Sequence, residues 1–389
     1  MAPFQLDATR IAASKERADM LGATPEAERL LARVRDGSGL DCEAWTALFL
    51  SPRVATATLF EIARERRAER SRHLETFAPL YVSNECDAEC AMCGMRSFND
   101  KLRRETADAA TVEQQLDILR RRGLRGIALL TGEYRHGSKR RAMIQRASRA
   151  LGAALDRGFT HVLVNIGALE DDEYDELLAE APRAADGRIV PKVTMCTFQE
   201  TYHPSSYAKF MGTTPENPRS DFGRRLRNFD RAADAGMWSV NPGVLLGLNQ
   251  DLGFELLALL AHFRHLRERG LAVYASLPRL RKASGAPHVA GVDDDGLVRF
   301  AATLALAAPD VKVVVSTREP PAIQQRLLPV VGVLTPGSPG VAPYTADGAR
   351  FELEASQFEV LDHRPFEQIL GDLVEQGIRV DCFEPGRPG

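Results

Sequence analysis

A chain of 389 residues has room for two ordinary domains or for one large α/β barrel with extensions, and ample length for a sizeable core. Its 44% apolar and 26% charged residues are an ordinary globular balance, and a formal net charge of −3 gives no general attraction to nucleic acid or to an acidic membrane surface. No apolar run is long enough to span a bilayer, and the opening stretch MAPFQLDATRIAASKERADM lacks the apolar block of a signal peptide, so the expectation is a cytoplasmic protein with no membrane or nucleic-acid partner. In a reducing cytosol, six cysteines point to metal or redox chemistry more than to disulfides.

Residues 24–75 carry apolar residues at helical spacing, as in PEAERLLARV and AWTALFL, followed by a charged run, EIARERRAERSRH, that reads as a solvated helix face. From Leu80 the texture changes. Short apolar runs recur, each followed by a longer amphipathic stretch: PLYVSN, GIALLT, HVLVNIG, KVTMCTF, SVNPGVLLG, AVYASL, VKVVVST and VVGVLT. Strand alternating with helix predicts a parallel sheet, and eight such units over about 260 residues match a (β/α)8 TIM-type barrel. A splayed barrel fits equally well, because closure is not written in the pattern. The predicted division is an N-terminal helical extension (1–75), a barrel (76–340) and a C-terminal extension (341–389) packed on it, containing the helix candidate FEQILGDLVEQG.

In such a barrel the chemistry lies where strands end and loops begin. Directly after the first strand come Cys86, Cys90 and Cys93, spaced C-x3-C-x2-C. A zinc ribbon would add a second C-x2-C pair or distant histidines, but Cys42, Cys196 and Cys382 are isolated. A ferredoxin-type 4Fe–4S site needs four thiolates. Three thiolates leave one iron open to a small chelating ligand. The plainer alternative is three cysteines buried or zinc-bound by accident.

This spacing after the first barrel strand resembles the radical S-adenosylmethionine (SAM) superfamily. The resemblance implies one 4Fe–4S cluster on Cys86, Cys90 and Cys93, with the amino and carboxylate groups of SAM on the open iron. It also implies a set of SAM contacts. Thr131, Gly132 and Glu133, after strand two, would receive the SAM ammonium. Arg225 would pair with the SAM carboxylate, a role suited to a planar guanidinium. Glu200 would accept from the ribose hydroxyls, and Gly243, in VNPGVLLGL, would let adenine lie along strand five. The plainer alternatives are a turn with a surface glutamate, a solvated arginine among Arg224, Arg225 and Arg227, and simple glycine packing. Cys196, on a strand, reads as a small buried hydrophobe.

TFAPLYVSN with the cysteine motif, LLTGEY, VNIG, VTMCTFQETY, YAKFMG, VNPGVLLGL, LPRLR, STREP, PGSPGVAPY and SQF occur in one order. Together they resemble the aromatic amino-acid lyase group of radical SAM enzymes. That group holds a tyrosine lyase (2-iminoacetate synthase) and a tryptophan lyase of thiopeptide antibiotic biosynthesis (3-methyl-2-indolic acid synthase). The C-terminal blocks resemble the tryptophan branch more. That branch implies hydrogen abstraction from the amino group of L-tryptophan, cleavage of the Cα–carboxylate bond and return of the carboxyl fragment to indole C2. The tyrosine branch implies Cα–Cβ cleavage to p-cresol and 2-iminoacetate, and a lyase acting on another amino acid is the remaining alternative within the group. Arg318, in STREP, would grip the substrate carboxylate, with Thr335 and Tyr81 beside the substrate. Glu85 and Thr335 depart from the tryptophan pattern, which has an aromatic residue and a serine there. The partners implied are an amino-acid substrate and an electron donor such as flavodoxin or ferredoxin. A non-enzymatic iron–sulfur sensor is the rival from a different class.

Overall fold

Helices α1 (Ala8–Gly22), α2 (Glu26–Arg35), α3 (Cys42–Leu50) and α4 (Thr56–Arg66) open the chain. The computed structural model describes residues 1–190, 192–286, 291–337, 341 and 356–384. Ten parallel strands follow: β1 (His73–Glu75), β2 (Ala78–Tyr81), β3 (Gly126–Leu130), β4 (His161–Asn165), β5 (Lys192–Cys196), β6 (Ser239–Asn241), β7 (Ala272–Ser276), β8 (Lys312–Ser316), β9 (Val333–Thr335) and β10 (Arg379–Asp381). The eight apolar runs read from the sequence are β2 to β9. Covered on both faces, they are rich in buried Val, Ile and Leu, as parallel strands must be.

The crossovers carry α5 (Ala109–Arg121), α6 (Ser138–Asp156), α7 (Asp171–Leu177), α8 (Pro204–Met211), α9 (Phe222–Asp234), α10 (Leu252–Glu268), α11 (Asp294–Ala307) and α12 (Pro321–Leu327), and α13 (Phe366–Glu375) leads into β10. No described helix is long and apolar enough to cross a membrane.

The strand order β10-β1-β9-β8-β7-β6-β5-β4-β3-β2 makes one curled sheet. β1 and β2 belong to one extended segment that changes neighbours. At the base, β1 pairs with β9 (Glu75 opposite Val333) and with β10; further up, β2 pairs with β3. β10 closes the base toward β3, since the Arg125 N–H donates to the Cys382 carbonyl at 2.8 Å. Among the described residues no ladder joins β2 to β9 at the mouth. The sheet is therefore pinned below and splayed above, which decides between the two forms the sequence left open. Strand five proves shorter than the sequence reading. β6 stops at Asn241 because Pro242 has no N–H for a ladder, and only isolated bridges at Val244 and Leu246 continue it.

The N-terminal helices pack on the outside of the barrel, α3 and α4 against α10 and α11. Arg299 of α11 secures them. Its guanidinium donates to the carbonyls of Leu48 (2.8 Å), Phe49 (2.5 Å), Ser51 (2.9 Å) and Val54 (2.7 Å), which meets carbonyls left open at the end of α3.

Candidate active site

The segment after β2 has little regular structure, so its carbonyls need partners from elsewhere. Arg104 supplies them, donating to Asn84 (2.9 Å), Met95 (2.8 Å) and Arg96 (2.6 Å). This frame holds the three thiols over the mouth, with Cys90 and Cys93 buried and Cys86 partly so. Each sulfur faces donors. Cys86 Sγ accepts from the N–H groups of Glu133 (3.3 Å) and Ala88 (3.4 Å). Cys90 Sγ accepts from Arg219 at 3.2 Å. Cys93 Sγ accepts from the Met95 N–H (3.4 Å) and from Gln357 Nε2 (3.5 Å). Burial pushes Cys86 up to about 12 and raises Cys90 and Cys93 as well, and the Cys93 thiol adds to the rise at Cys86 and Cys90. Donors aimed at all three sulfurs suit thiolates, and thiols this hard to ionise become thiolates when a metal takes the proton's place. The donor set thus fits three-point ligation of a cluster.

Across the mouth, four buried charged groups form one network. Arg225 Nη1 lies 2.8 Å from Glu133 Oε1, Arg219 Nε lies 3.2 Å from the same oxygen, and Arg219 Nη2 lies 2.6 Å from Glu200. Burial pushes the Glu133 carboxyl up, but Arg225 and Arg219 outweigh it and hold the group below the usual carboxylate range. Glu200 adopts a left-handed backbone (φ 70°), rare for a residue with a side chain, with its N–H bonded to the Gly243 carbonyl at 3.1 Å. The sequence reading set Glu133 against an ammonium and Arg225 against a carboxylate separately; in the fold they also pair with one another. Gly132 sits where the β3 loop meets the cysteine loop. A Cβ there would lie 2.0 Å from the Glu85 carbonyl oxygen, so only glycine fits.

The third wall is built from β2, β8 and β9. Arg318, just past β8, lies 3.3 Å from Gln357 Oε1, and its guanidinium stacks 4.4 Å over the Phe358 ring. Among the described residues no carboxylate comes within ion-pair distance of it. Burial lowers its pKa. Tyr81 also donates to Gln357 Oε1, at 3.1 Å, and burial pushes its phenol up to about 12. Thr335 ends β9 on the same wall.

No family model matches the chain. The 2-iminoacetate synthase of Escherichia coli (strain K12) is 29% identical over 341 residues, which cover 85% of this chain and 84% of that protein. The crystal structure of HydG, a maturase of the FeFe-hydrogenase, superposes with a TM-score of 0.79 at 28% identity, covering 96% of this chain and 80% of that one. HydG from Carboxydothermus hydrogenoformans superposes with a TM-score of 0.82 at 24% identity, covering 96% and 85%, and speaks to the fold. The chain is a radical SAM amino-acid lyase. Its cofactors are a 4Fe–4S cluster held by three cysteines and SAM. The relatives support the aromatic amino-acid lyase group and do not single out its tryptophan branch.

Of the residues singled out in the lyase sequence, the fold gathers Cys86, Cys90, Cys93, Thr131, Gly132, Glu133, Glu200, Arg225, Tyr81, Arg318 and Thr335 around one cavity. Gly243 lies outside the lining. Its close approach is to the Phe198 ring, 2.4 Å from where a Cβ would be. Glu85 turns away and pairs with Lys139 at 3.1 Å. Cys196 is buried, and it also lines the cavity. Ser338–Gly340 and Ala342–Tyr344 of the PGSPGVAPY block lie outside the described residues. Sequence reasoning missed Arg219, Asn241 and the role of Gln357. Gln357 lies in the SQF block and Asn241 in the VNPGVLLGL block that carried part of the resemblance; no local motif marks Arg219.

Proposed function

We propose that this lyase fragments an aromatic L-amino acid, with L-tyrosine cleaved between Cα and Cβ to p-cresol and 2-iminoacetate as the leading reading. The observation that carries an amino-acid substrate is Arg318. A guanidinium facing the cavity with a neutral amide and a ring against it, and no carboxylate within ion-pair distance among the described residues, suits a ligand carboxylate, which a planar fork would seat in one orientation. When bound, the cluster and SAM supply a 5′-deoxyadenosyl radical by one-electron cleavage of SAM. The chain's own residues then orient and enclose. Cys86, Cys90 and Cys93 hold the cluster. Thr131, Gly132 and Glu133 receive the SAM ammonium, Arg225 its carboxylate and Glu200 its ribose. Gly243 acts behind them by letting Phe198 close in. Tyr81 and Thr335 offer hydroxyls beside Arg318. The support for tyrosine over tryptophan is the relatives named 2-iminoacetate synthase; the likeness of the C-terminal blocks STREP, PGSPGVAPY and SQF to the tryptophan branch supports tryptophan and 3-methyl-2-indolic acid as the second reading. An electron donor such as flavodoxin or ferredoxin, a cytoplasmic setting and the division at residues 75 and 340 complete the proposal.

The test is mass spectrometry of the anaerobically reconstituted protein with dithionite, SAM and either amino acid. p-Cresol from tyrosine supports the leading reading. 3-Methyl-2-indolic acid from tryptophan replaces it with the second. Neither product, with deoxyadenosine formed, removes both substrates and leaves the radical chemistry.

A further inference from the structure

We propose that Asn241 is a specificity-determining residue that donates a hydrogen bond to an oxygen on the substrate's side chain and so selects a phenol over an indole. The proposal rests on reading the cavity as an amino-acid site. Asn241 is the last residue of β6, fully buried, and lines the cavity. Its Oδ1 accepts the Ser276 N–H at 3.1 Å. That bond sets the amide orientation, because the turned-over amide would bring an NH2 against an N–H. Nδ2 is therefore the free end, and it has no nitrogen or oxygen to donate to among the described residues. The Cys196 thiol beside it is a weak acceptor. A buried amide donor met only by a thiol among the described residues is poorly satisfied, so a folded protein that keeps one in a cavity wall keeps it for something that enters.

The surroundings narrow what enters. Beneath the strand-end residues lies an apolar floor, with Phe77, Ala128 and Val314 of one buried cluster lining the cavity. It accepts a ring. Arg318 stands past β8, while Asn241 ends β6, two strands away around the sheet, so carboxylate and side chain would meet different walls. A phenolic oxygen accepts a hydrogen bond. An indole ring offers an N–H and no acceptor; a phenyl ring offers neither. A site built to bond a hydroxyl rejects analogues without one far more strongly than an apolar pocket does.

The experiment measures substrate-dependent deoxyadenosine formation by the reconstituted holoenzyme with L-tyrosine, L-phenylalanine and L-tryptophan, for the wild type and for Asn241→Leu, with SAM affinity measured alongside. The expected wild-type preference in kcat/KM for tyrosine over phenylalanine is at least about 100-fold. In Asn241→Leu it falls below about tenfold, through lost use of tyrosine, with SAM affinity unchanged. A wild type that does not discriminate tyrosine from phenylalanine overturns the proposal without any variant. So does an unchanged ratio in Asn241→Leu, or weakened SAM affinity at an unchanged ratio, which would assign the bond to a SAM oxygen. Asn241→Ser, which keeps a smaller donor, should recover part of the ratio if Asn241→Leu folds poorly. A wild type stimulated by none of the three overturns the amino-acid reading as well, and so separates the two failures.

Discussion

The base and the mouth of the barrel treat charge in opposite ways. At the base, the buried Glu75 carboxylate meets Lys312 at 2.5 Å, the Tyr274 hydroxyl at 2.8 Å and His161, whose other ring nitrogen bonds Thr194 at 2.7 Å. Glu75 of β1 is thus answered from within the chain by β4, β7 and β8, strands that reach it across the base of the barrel. At the mouth the chain answers Glu133 and Glu200 with arginines, but among the described residues it leaves Arg318 with an amide and a ring, and Asn241 Nδ2 with a thiol. The same sheet thus ends in a sealed polar plug below and an unfinished one above. Charge answered by the protein stabilises the fold; charge left for a ligand is held in place by the rest of it.

The largest effect that sharpens this contrast is at the cluster loop. Cys90→Ala removes one of three ligands and should abolish deoxyadenosine formation from SAM while circular dichroism stays native. Retained SAM cleavage would remove the cluster from this loop.

Next comes a pair of substitutions read in the same two assays. Glu75→Leu should destabilise the apo-protein to urea by about 2–4 kcal/mol, because it strands the buried partners of a carboxylate, and should leave substrate preference unchanged. Arg318→Met should do the reverse. Stability should hold within about 0.5 kcal/mol or rise, since a desolvated cation is removed, while kcat/KM for the amino acid falls about 10²-fold or more. If both variants lose stability alike, the difference between base and mouth is not one of partnering.

The smallest effect concerns a polar group that is partnered but neutral. His262 is fully buried between Phe4, stacked at 4.2 Å, and the Tyr202 hydroxyl at 2.7 Å. Burial lowers its pKa from 6.5 to about 3. Between those values the unfolded chain binds a proton that the folded chain does not. Stability should therefore fall as pH drops below about 6.5, by about 1.4 kcal/mol per pH unit from this group. Urea titrations at pH 5, 6 and 7 on the wild type and His262→Leu check it: the variant should lose that increment of slope. An equal slope in both proteins would show that the proton goes elsewhere.

Legibility in the sequence followed distance along the chain. The three cysteines lie within one loop, and the apolar runs are local, so both were readable. Contacts that complete the site are not local. Arg225 reaches Glu133 across 92 positions, Arg219 reaches Cys90 across 129, and Gln357 reaches Cys93 across 264. No spacing rule links residues so far apart. Directions were equally hidden. Gly243 was readable as a point of close approach, but whether a ligand or Phe198 comes close depends on how the Phe198 loop folds back. Glu85 was readable as a new carboxylate near the cluster loop, but Lys139 of α6 turns it outward.

Residue type and short-range period were enough to set the parallel α/β sheet, the cysteine loop at the end of its first strand and the charged residues at strand ends. Folding in three dimensions settled that the sheet closes at its base and opens at its mouth, that two arginines converge on Glu133, and that among the described residues Arg318 and Asn241 are incompletely answered. Those outcomes depend on which side chains meet when distant strands curl around one axis, a consequence of packing that no local pattern carries.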